Sequence, residues 1–397
     1  MAHGARGTPN VDMTTAAIDS VAAVRDVIAD AARARTTLRI AGCGTWLDAG
    51  RPVQAAQMLS TRDLTGITGY VPGDLTLTAM AGTTLAEIRA ATAANDQWLA
   101  LDPYGSDDGT IGATVATGSW GPLVTSFGRP RDLVLGIEFV TGAGVVARGG
   151  GRVVKNVAGF DITRLFTGAW GTLGVITEVT VRLHAKPEAD ESVAISLDER
   201  ATPAAERARQ LLRRLPFVPY VCEVVNATLA RQLGVGNGVT VLARIGGNRD
   251  ALRAQRAALN ELGDARDIDP AVWIAMRGME PSGANVLRLS RLPSEIGTTW
   301  SDAVGLGGGD ALIHATPSRG IVRCVVPHGD VAARARFHDA LAAPSTATRI
   351  GERLDDELWA LLSRRAESSA LSARIRATFD PYDILNPGIL GVMHEEA

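Results

Sequence analysis

Residues 151–183 read GRVVKNVAGFDITRLFTGAWGTLGVITEVTVRL, and the fold turns on how they are read. Two polar clusters, Lys155-Asn156 and Phe160-Asp161, precede Gly168, Gly171 and Gly174, and an alternating apolar strand follows. Glycine without a Cβ reaches positive φ and lets backbone approach closely, so this density suits a chain that closes against a large ligand. Lys155 and Lys186 are the only lysines in the chain. Codon bias toward arginine explains that scarcity, and a lysine that persists inside a glycine-rich motif is notable.

Upstream, Val21, Val24, Val27, Ile28 and Ala31 recur at helical spacing and predict a helix from about Ser20 to Arg35. Thr37–Ala41 reads as a strand that runs into the turn Gly42-Cys43-Gly44-Thr45-Trp46. Backbone amides in such a turn can cradle a pyrophosphate, although a short glycine turn is also common as plain structure. No G-x-G-x-x-G opens a helix here, so the nicotinamide reading loses ground. Leu75–Ala81 alternates as a strand, Thr84-x-x-Glu87 opens a helix with a capping box, and Leu133–Thr141 and Val175–Leu183 are further strands. Between them, residues 101–122 (LDPYGSDDGTIGATVATGSWGP) read as loop-rich. Thr110-Ile111-Gly112 and Ala116-Thr117-Gly118 offer hydroxyls and bare amides to a flat, polar-edged ring, or else form a surface loop.

After Pro187 strand-like runs (Ser192–Leu197, Val221–Val225, Val239–Ile245, Val286–Leu289, Ile321–Val326) alternate with helical ones (Pro203–Leu215, Arg249–Leu262, Val331–Leu341). That order predicts an α/β layer with an antiparallel sheet. Residues Asp355–Phe379 read as helical. The turn-rich Asp380–Gly388 segment follows, with two prolines and a glycine shaping the loop around Asn386.

The chain has 397 residues, enough for two or three domains with sizeable cores. A formal net charge of -3 gives no electrostatic case for nucleic acid. Cys43, Cys222 and Cys324 form no CxxC pair, which argues against zinc, an iron–sulfur cluster or a disulfide framework and fits a reducing, cytoplasmic setting. No apolar run is long enough to span a bilayer, so membrane association would run through a partner.

Together these segments resemble the vanillyl-alcohol oxidase/p-cresol methylhydroxylase superfamily of FAD enzymes, and within it the FAD-binding subunits of bacterial glycolate oxidases. The resemblance rests on Asp74-Leu75, Gly82-Thr83, Val134-Leu135-Gly136, Thr141-Gly142-Ala143-Gly144, Val154–Gly159, Asp161 with Arg164-Leu165, and Asp380-Pro381 with Asn386-Pro387-Gly388. It implies an α+β protein in which a two-subdomain, p-cresol-methylhydroxylase-type FAD-binding domain (15–182) precedes an α/β cap with an antiparallel sheet (183–372). A flexible tail (1–14) leads in, and residues 373–397 return to the FAD domain. On that resemblance Ala41, Gly42, Cys43, Gly44 and Thr45 take the pyrophosphate. Thr110, Ile111, Gly112, Thr114, Thr117 and Gly118 line the ribityl–isoalloxazine side. Gly171, Gly174 and Ile176 meet the adenosine half, Asn386 meets the flavin edge, and Lys155 is a hydrogen-bonding group near the flavin.

The departures matter too. Relatives that attach the flavin covalently use a histidine soon after the first glycine loop. Gly44-Thr45-Trp46-Leu47 has none, so the expected FAD is non-covalent. Of the metal-binding H-x-G-D-G-N stretch of the sister subunits only His328-Gly329-Asp330 remains, more in keeping with helix-cap residues, and no metal is expected.

A 2-hydroxy acid requires a cation for its carboxylate and a base for its hydroxyl proton. Arg288 and Ser290 match a cap strand that reads W-R-x-S-x-P in the glycolate oxidase subunit. Arg323 lies on a later strand and His314 on the run LIHAT. Arg288 or Arg323 is therefore the candidate clamp and His314 the candidate base; the alternative is arginines on a solvated sheet face and a satisfied, half-buried histidine. The implied activity is oxidation of a small 2-hydroxy acid, glycolate or D-lactate, with electrons passed to sister flavoprotein and iron–sulfur subunits. A non-catalytic FAD-binding relay subunit and a stand-alone alcohol or sugar oxidase are the alternatives.

Overall fold

The computed structural model describes residues 15–16, 18–151, 160–197, 203–281, 283–327, 331–362 and 370–391. Lys155 with its motif, residues 328–330 and the 1–14 tail lie outside them.

The first half builds two main sheets, and a short antiparallel pair joins Gln97–Trp98 to His184–Ala185. A small parallel one runs Thr15–Ala16, Gln57–Ser60, Leu38–Ala41. A five-stranded antiparallel one has the order Ile67–Val71, Thr76–Met80, Val175–Arg182, Val134–Val140, Val146–Gly150. The strand at the end of the opening stretch is thus the middle one. Val179 pairs with Ala79 on one side and Ile137 on the other. Buried on both faces, it reads as nearly continuous valine, isoleucine and threonine. Helix Val21–Ala34 starts at Ser20, whose hydroxyl accepts from Ala23 N–H, and stops at Arg35 in the left-handed conformation. Its Val24, Ile28 and Ala31 pack against Leu38, Leu59 and Val140. Helix Leu85–Ala93 carries the capping box read from Thr84 and Glu87.

The second half forms one eight-stranded antiparallel sheet: Arg266–Asp267, Ala189–Ser196, Thr240–Gly247, Val221–Val225, Leu312–Thr316, Ile321–Val326, Asn285–Ser290, Thr348–Arg353. Side chains alternate between its faces. One face, with Ile313, Val322, Cys324, Leu287 and Leu289, is covered by helices Ala204–Leu212, Ile296–Gly307 and Val331–Ala342 through Ala208, Trp300 and Phe337. The other face, with Leu312, Val325 and Val286, meets Ala100 and Leu123 of the first half. Each fully buried aliphatic or aromatic side chain in these layers contributes about 1.5–3 kcal/mol relative to exposure.

Residues 101–122 depart from the loop reading. Thr110 Oγ1 accepts from Ala113 N–H, a helix runs over Ile111–Thr117, and Gly118 closes it in the left-handed conformation. Small, threonine-rich residues hide the helical period, and the caps rather than the propensity define the element. The Asp355–Phe379 segment is helical over Asp356–Leu361 and Ala370–Phe379.

The chain then returns to the first half. Asp380 accepts from Ile384 N–H at 3.2 Å and Leu385 N–H at 2.9 Å, while Gly142 N–H donates to the Phe379 carbonyl at 2.8 Å. A Cβ on Gly142 would lie 2.3 Å from Asp380 Oδ1, so this junction requires glycine. Leu385 forms a parallel bridge to Leu38, at the start of the strand that feeds the first glycine turn.

Candidate functional site

Two adjoining clefts sit between the sheets. The first, an open space of about 710 Å³, is walled by the Leu38–Ala41 strand and its glycine turn, helix Ile111–Thr117, residues 170–176 and Asn386. Its lining is largely backbone. A Cβ on Gly42 would sit 2.4 Å from Thr110 Oγ1, and one on Gly112 would sit 2.6 Å from the Ala81 Cβ. Gly171 has φ +70 and a Cβ there would crowd Asn386 Nδ2 at 2.9 Å. Asn386 holds the cleft's two sides: its Oδ1 accepts from Ile40 N–H at 2.8 Å and its Nδ2 donates to the Trp170 carbonyl at 2.7 Å.

Of the residues expected at the cofactor, Ala41 to Thr45, Gly112, Thr117, Gly171, Gly174, Ile176 and Asn386 line this cleft. Thr110, Ile111 and Thr114 lie behind it, as helix cap, core residue and donor to the Thr110 carbonyl at 2.9 Å. Gly118 faces the second cleft. Arg39 also lines the first cleft and was not singled out from the sequence. One guanidinium nitrogen donates to the Leu47 carbonyl at 3.2 Å; the other, Nη1, is buried without a partner. Burial lowers the Arg39 pKa. A desolvated cation with an open donor beside bare backbone amides suits a pyrophosphate, and the adjoining flat-walled space suits the ring system of a dinucleotide such as FAD.

The second cleft, about 940 Å³ of open space, shares Trp46, Thr117, Trp170 and Ile389 with the first. Arg288 and Glu352 line it from the second sheet, Tyr104 and Trp120 from the first half. The sheet register brings the three sequence candidates into one row: His314 pairs with Arg323, and Arg323 with Arg288 on the next strand. They point to the face that meets the first half.

Within that row they differ. Arg288 Nη1 lies 3.4 Å from Glu352 Oε1 and stacks 5.3 Å from the Trp120 ring. Arg323 is 2% exposed, ion-paired to Glu280 and Glu352, with Tyr104 over its guanidinium at 3.8 Å. Burial opposes its charge, but Glu280 and Glu352 outweigh that and raise its pKa. Burial likewise opposes the Glu352 charge, and Arg323 with Arg288 holds its carboxyl below the usual range. His314 is also 2% exposed; its Nδ1 lies 2.9 Å from Glu223 Oε2, and Thr316 donates to Oε1 of the same carboxyl at 2.6 Å. Burial, then Arg323, keeps His314 neutral, and burial pushes the Glu223 carboxyl up. His314 Nε2 and Tyr104 Oη are buried without partners, their rings 5.5 Å apart. Neither Arg323 nor His314 lines the cleft; Tyr104, which does, lies against both. Glu223, Glu280 and Glu352 carried no local sequence signal: strand pairing brings Glu223 and Glu352 to this row, and Glu280 reaches it from the loop after helix Val272–Arg277.

Among the described residues no three His, Cys, Asp or Glu side chains group to hold a metal ion, and no helix is long and apolar enough to cross a membrane.

Residues 14–150 match the FAD binding domain family. The glycolate oxidase subunit GlcE of Escherichia coli is 40% identical over 214 residues, covering 53% of this chain and 59% of that protein. The glycolate oxidase subunit GlcD of Bacillus subtilis is 33% identical over 43% of the chain and 36% of its own length. The chain therefore spans less than two thirds of either relative. The D-2-hydroxyglutarate dehydrogenase of Xanthomonas citri is 24% identical over 98% of the chain and 91% of its own length. Among solved structures, p-cresol methylhydroxylase superposes with a TM-score of 0.74 at 16% identity, over 95% of this chain and 88% of that one.

Proposed function

We propose that the chain is a flavin-dependent oxidoreductase of the vanillyl-alcohol oxidase/p-cresol methylhydroxylase type acting on a small 2-hydroxy acid, glycolate or D-lactate; the match of residues 14–150 to the FAD binding domain family and the fold shared with p-cresol methylhydroxylase support this. The observation that carries this reading is the Arg288–Arg323–His314 row, opening at Arg288 onto a cleft that adjoins the glycine-walled one.

When bound, FAD supplies the hydride acceptor. Ala41 to Thr45 and Arg39 would hold its pyrophosphate, Gly112, Thr117 and Gly118 its ring side, Gly171, Gly174 and Ile176 its adenosine half, and Asn386 the flavin edge. Thr110, Ile111 and Thr114 support that wall from behind. The binding is non-covalent, and acid precipitation should leave the yellow chromophore in solution.

Arg288 is the clamp for the substrate carboxylate, because it is the arginine of the row that reaches the cleft. Arg323 holds Glu352, and through it the position of Arg288. His314 is the base of this reading: its Nδ1 is engaged by Glu223 at 2.9 Å, and in the tautomer that carries the proton on Nδ1 its unpartnered Nε2 is the proton-accepting atom. Tyr104 stands between that atom and the cleft.

The cofactor domain (15–182 with 373–397) and the cap (183–372) would work within a multi-subunit enzyme, with electrons leaving through sister flavoprotein and iron–sulfur subunits. The burial of His314 favours a second reading, in which this chain binds FAD and relays electrons while a sister flavoprotein does the chemistry. Anaerobic mixing with glycolate or D-lactate separates them. Bleaching of the flavin in the isolated chain supports catalysis; bleaching only after a partner is added supports the relay; none in either case overturns both.

A further inference from the structure

The second cleft is more apolar than a glycolate or lactate molecule requires. Trp46, Thr117, Trp170 and Ile389 are shared with the first cleft and stand, with Gly118, beside the space given above to the flavin. The rest of the lining runs from Arg288 to an apolar end made by Ile350, Trp359, Leu362 and Leu390. Ile350 pairs with Arg288 on the neighbouring strand, so the two side chains stand next to each other on the face that lines the cleft. Gly351 lets helix Asp356–Leu361 close over that strand: a Cβ there would lie 2.8 Å from the Trp359 ring and 2.7 Å from Leu362. Trp359 and Leu362 are buried, whereas Leu390 is a large apolar side chain left 50% exposed. The two other arginines of the lining are engaged. Arg51 donates to the Trp359 and Leu362 carbonyls at 3.0 and 3.2 Å, and Arg349 donates to the Ala340 and Ala343 carbonyls. Glu352, also in the lining, pairs with Arg288 and Arg323. The cleft therefore offers an anion Arg288, and beyond it an uncharged wall.

A substrate carboxylate on Arg288 directs the rest of the molecule along this wall. A charged or polar tail would give up water there without a partner, whereas an apolar tail gains by leaving water. We propose that the substrate is a 2-hydroxy acid with a large apolar side chain, branched alkyl or aryl, seated against Ile350, Trp359, Leu362 and Leu390 while Arg288 holds its carboxylate. This rests on the hydroxy-acid reading above and specifies the side chain.

The test uses the FAD-loaded full chain, with D-lactate, D-2-hydroxyisocaproate and D-phenyllactate as ligands. Binding is read from perturbation of the flavin absorbance, and turnover from its anaerobic bleaching. One of the two larger acids should bind about tenfold or more tightly than D-lactate, and which of them does so separates the branched alkyl from the aryl side chain. The preference should survive about 1 M salt, because apolar burial is not screened. Leu390→Asn and Ile350→Thr alter an exposed and a half-buried side chain, and flavin content per chain reports that the variants fold. Each should bring the affinity ratio of the larger acid to D-lactate toward one, with D-lactate binding itself unchanged. Equal or tighter binding of D-lactate by the unaltered chain overturns the inference and leaves the hydroxy-acid reading standing. So does an unchanged ratio in both variants. If none of the three acids perturbs or bleaches the flavin, the hydroxy-acid reading itself fails, and this inference with it.

Discussion

Asn386 bonds to Trp170 and Ile40 at once, its amide donating to one carbonyl at 2.7 Å and accepting from the other residue's N–H at 2.8 Å. It does so at φ 45, a left-handed conformation that asparagine tolerates better than most residues. Asn386→Ala removes both bonds and keeps the strain, which should lower stability by about 2–3 kcal/mol and leave purified protein largely without flavin. Asn386→Gly relieves the backbone and not the bonds. It should recover part of the stability and little of the flavin. Thermal melts with absorbance at the flavin band read both; full flavin retention in the alanine variant would remove Asn386 from the site.

Gly42→Ala should weaken FAD binding by about tenfold or more, because its Cβ would sit 2.4 Å from Thr110 Oγ1 and displace the turn. Adding Thr110→Ala removes the obstructing hydroxyl at the cost of a helix cap worth about 1 kcal/mol. The double variant should therefore bind FAD better than the single one in a fluorescence titration, although it is no more stable.

Arg323 and Arg288 should separate cleanly. Arg323→Ala takes the nearer of two cations from each of the buried Glu280 and Glu352, leaving Arg353 and Arg288 at 3.3 and 3.4 Å, and should cost up to about 3–5 kcal/mol in a denaturant melt. Arg288→Ala breaks a 3.4 Å contact that is partly open to solvent, at a cost under about 1 kcal/mol. Its effect should appear as weaker substrate binding at unchanged flavin content. Identical kinetics would take Arg288 off the list of clamps.

Asp102 gives a pH signature. Burial raises its carboxyl to about 7 against hydrogen bonds from Leu123 and Gly121. A folded-state pKa above the unfolded one means that the folded chain binds more protons between the two values. Stability should therefore fall as pH rises from about 4 to about 7, by up to about 1.4 kcal/mol per unit, and level off above. Asp102→Asn should flatten that slope in urea melts taken across the range; an unaltered slope assigns it to other groups.

The glycine-walled cleft could be traced in the sequence because its walls are made of what a sequence displays: glycines and threonines in fixed order. Gly42, Gly112, Gly171 and Asn386 all line it. Helix Ile111–Thr117 was not legible, since a single apolar pair, Ile111 and Val115, among small residues and threonines is too short a period to read, and its caps define it. Arg39 was lost among the many arginines of a chain with two lysines. The second cleft was harder still. Arg288, Arg323 and His314 were visible one by one, but their shared row is a property of strand register, which follows from pairing across the whole sheet. Their carboxylate partners at 223, 280 and 352 come from three distant segments, and that pairing is what places His314 and Arg323 beneath Tyr104.

The return of residues 380–386 to the strand at Leu38 also fixes a schedule for the chain's synthesis. The glycine-walled cleft draws on residues near 40, 112, 171 and 386, so it stays incomplete on the ribosome until its last wall has left the exit tunnel. A chain cut before Asn386 would keep the strands of its sheets but lose the side chain that ties Ile40 to Trp170, and its flavin content should fall as in Asn386→Ala.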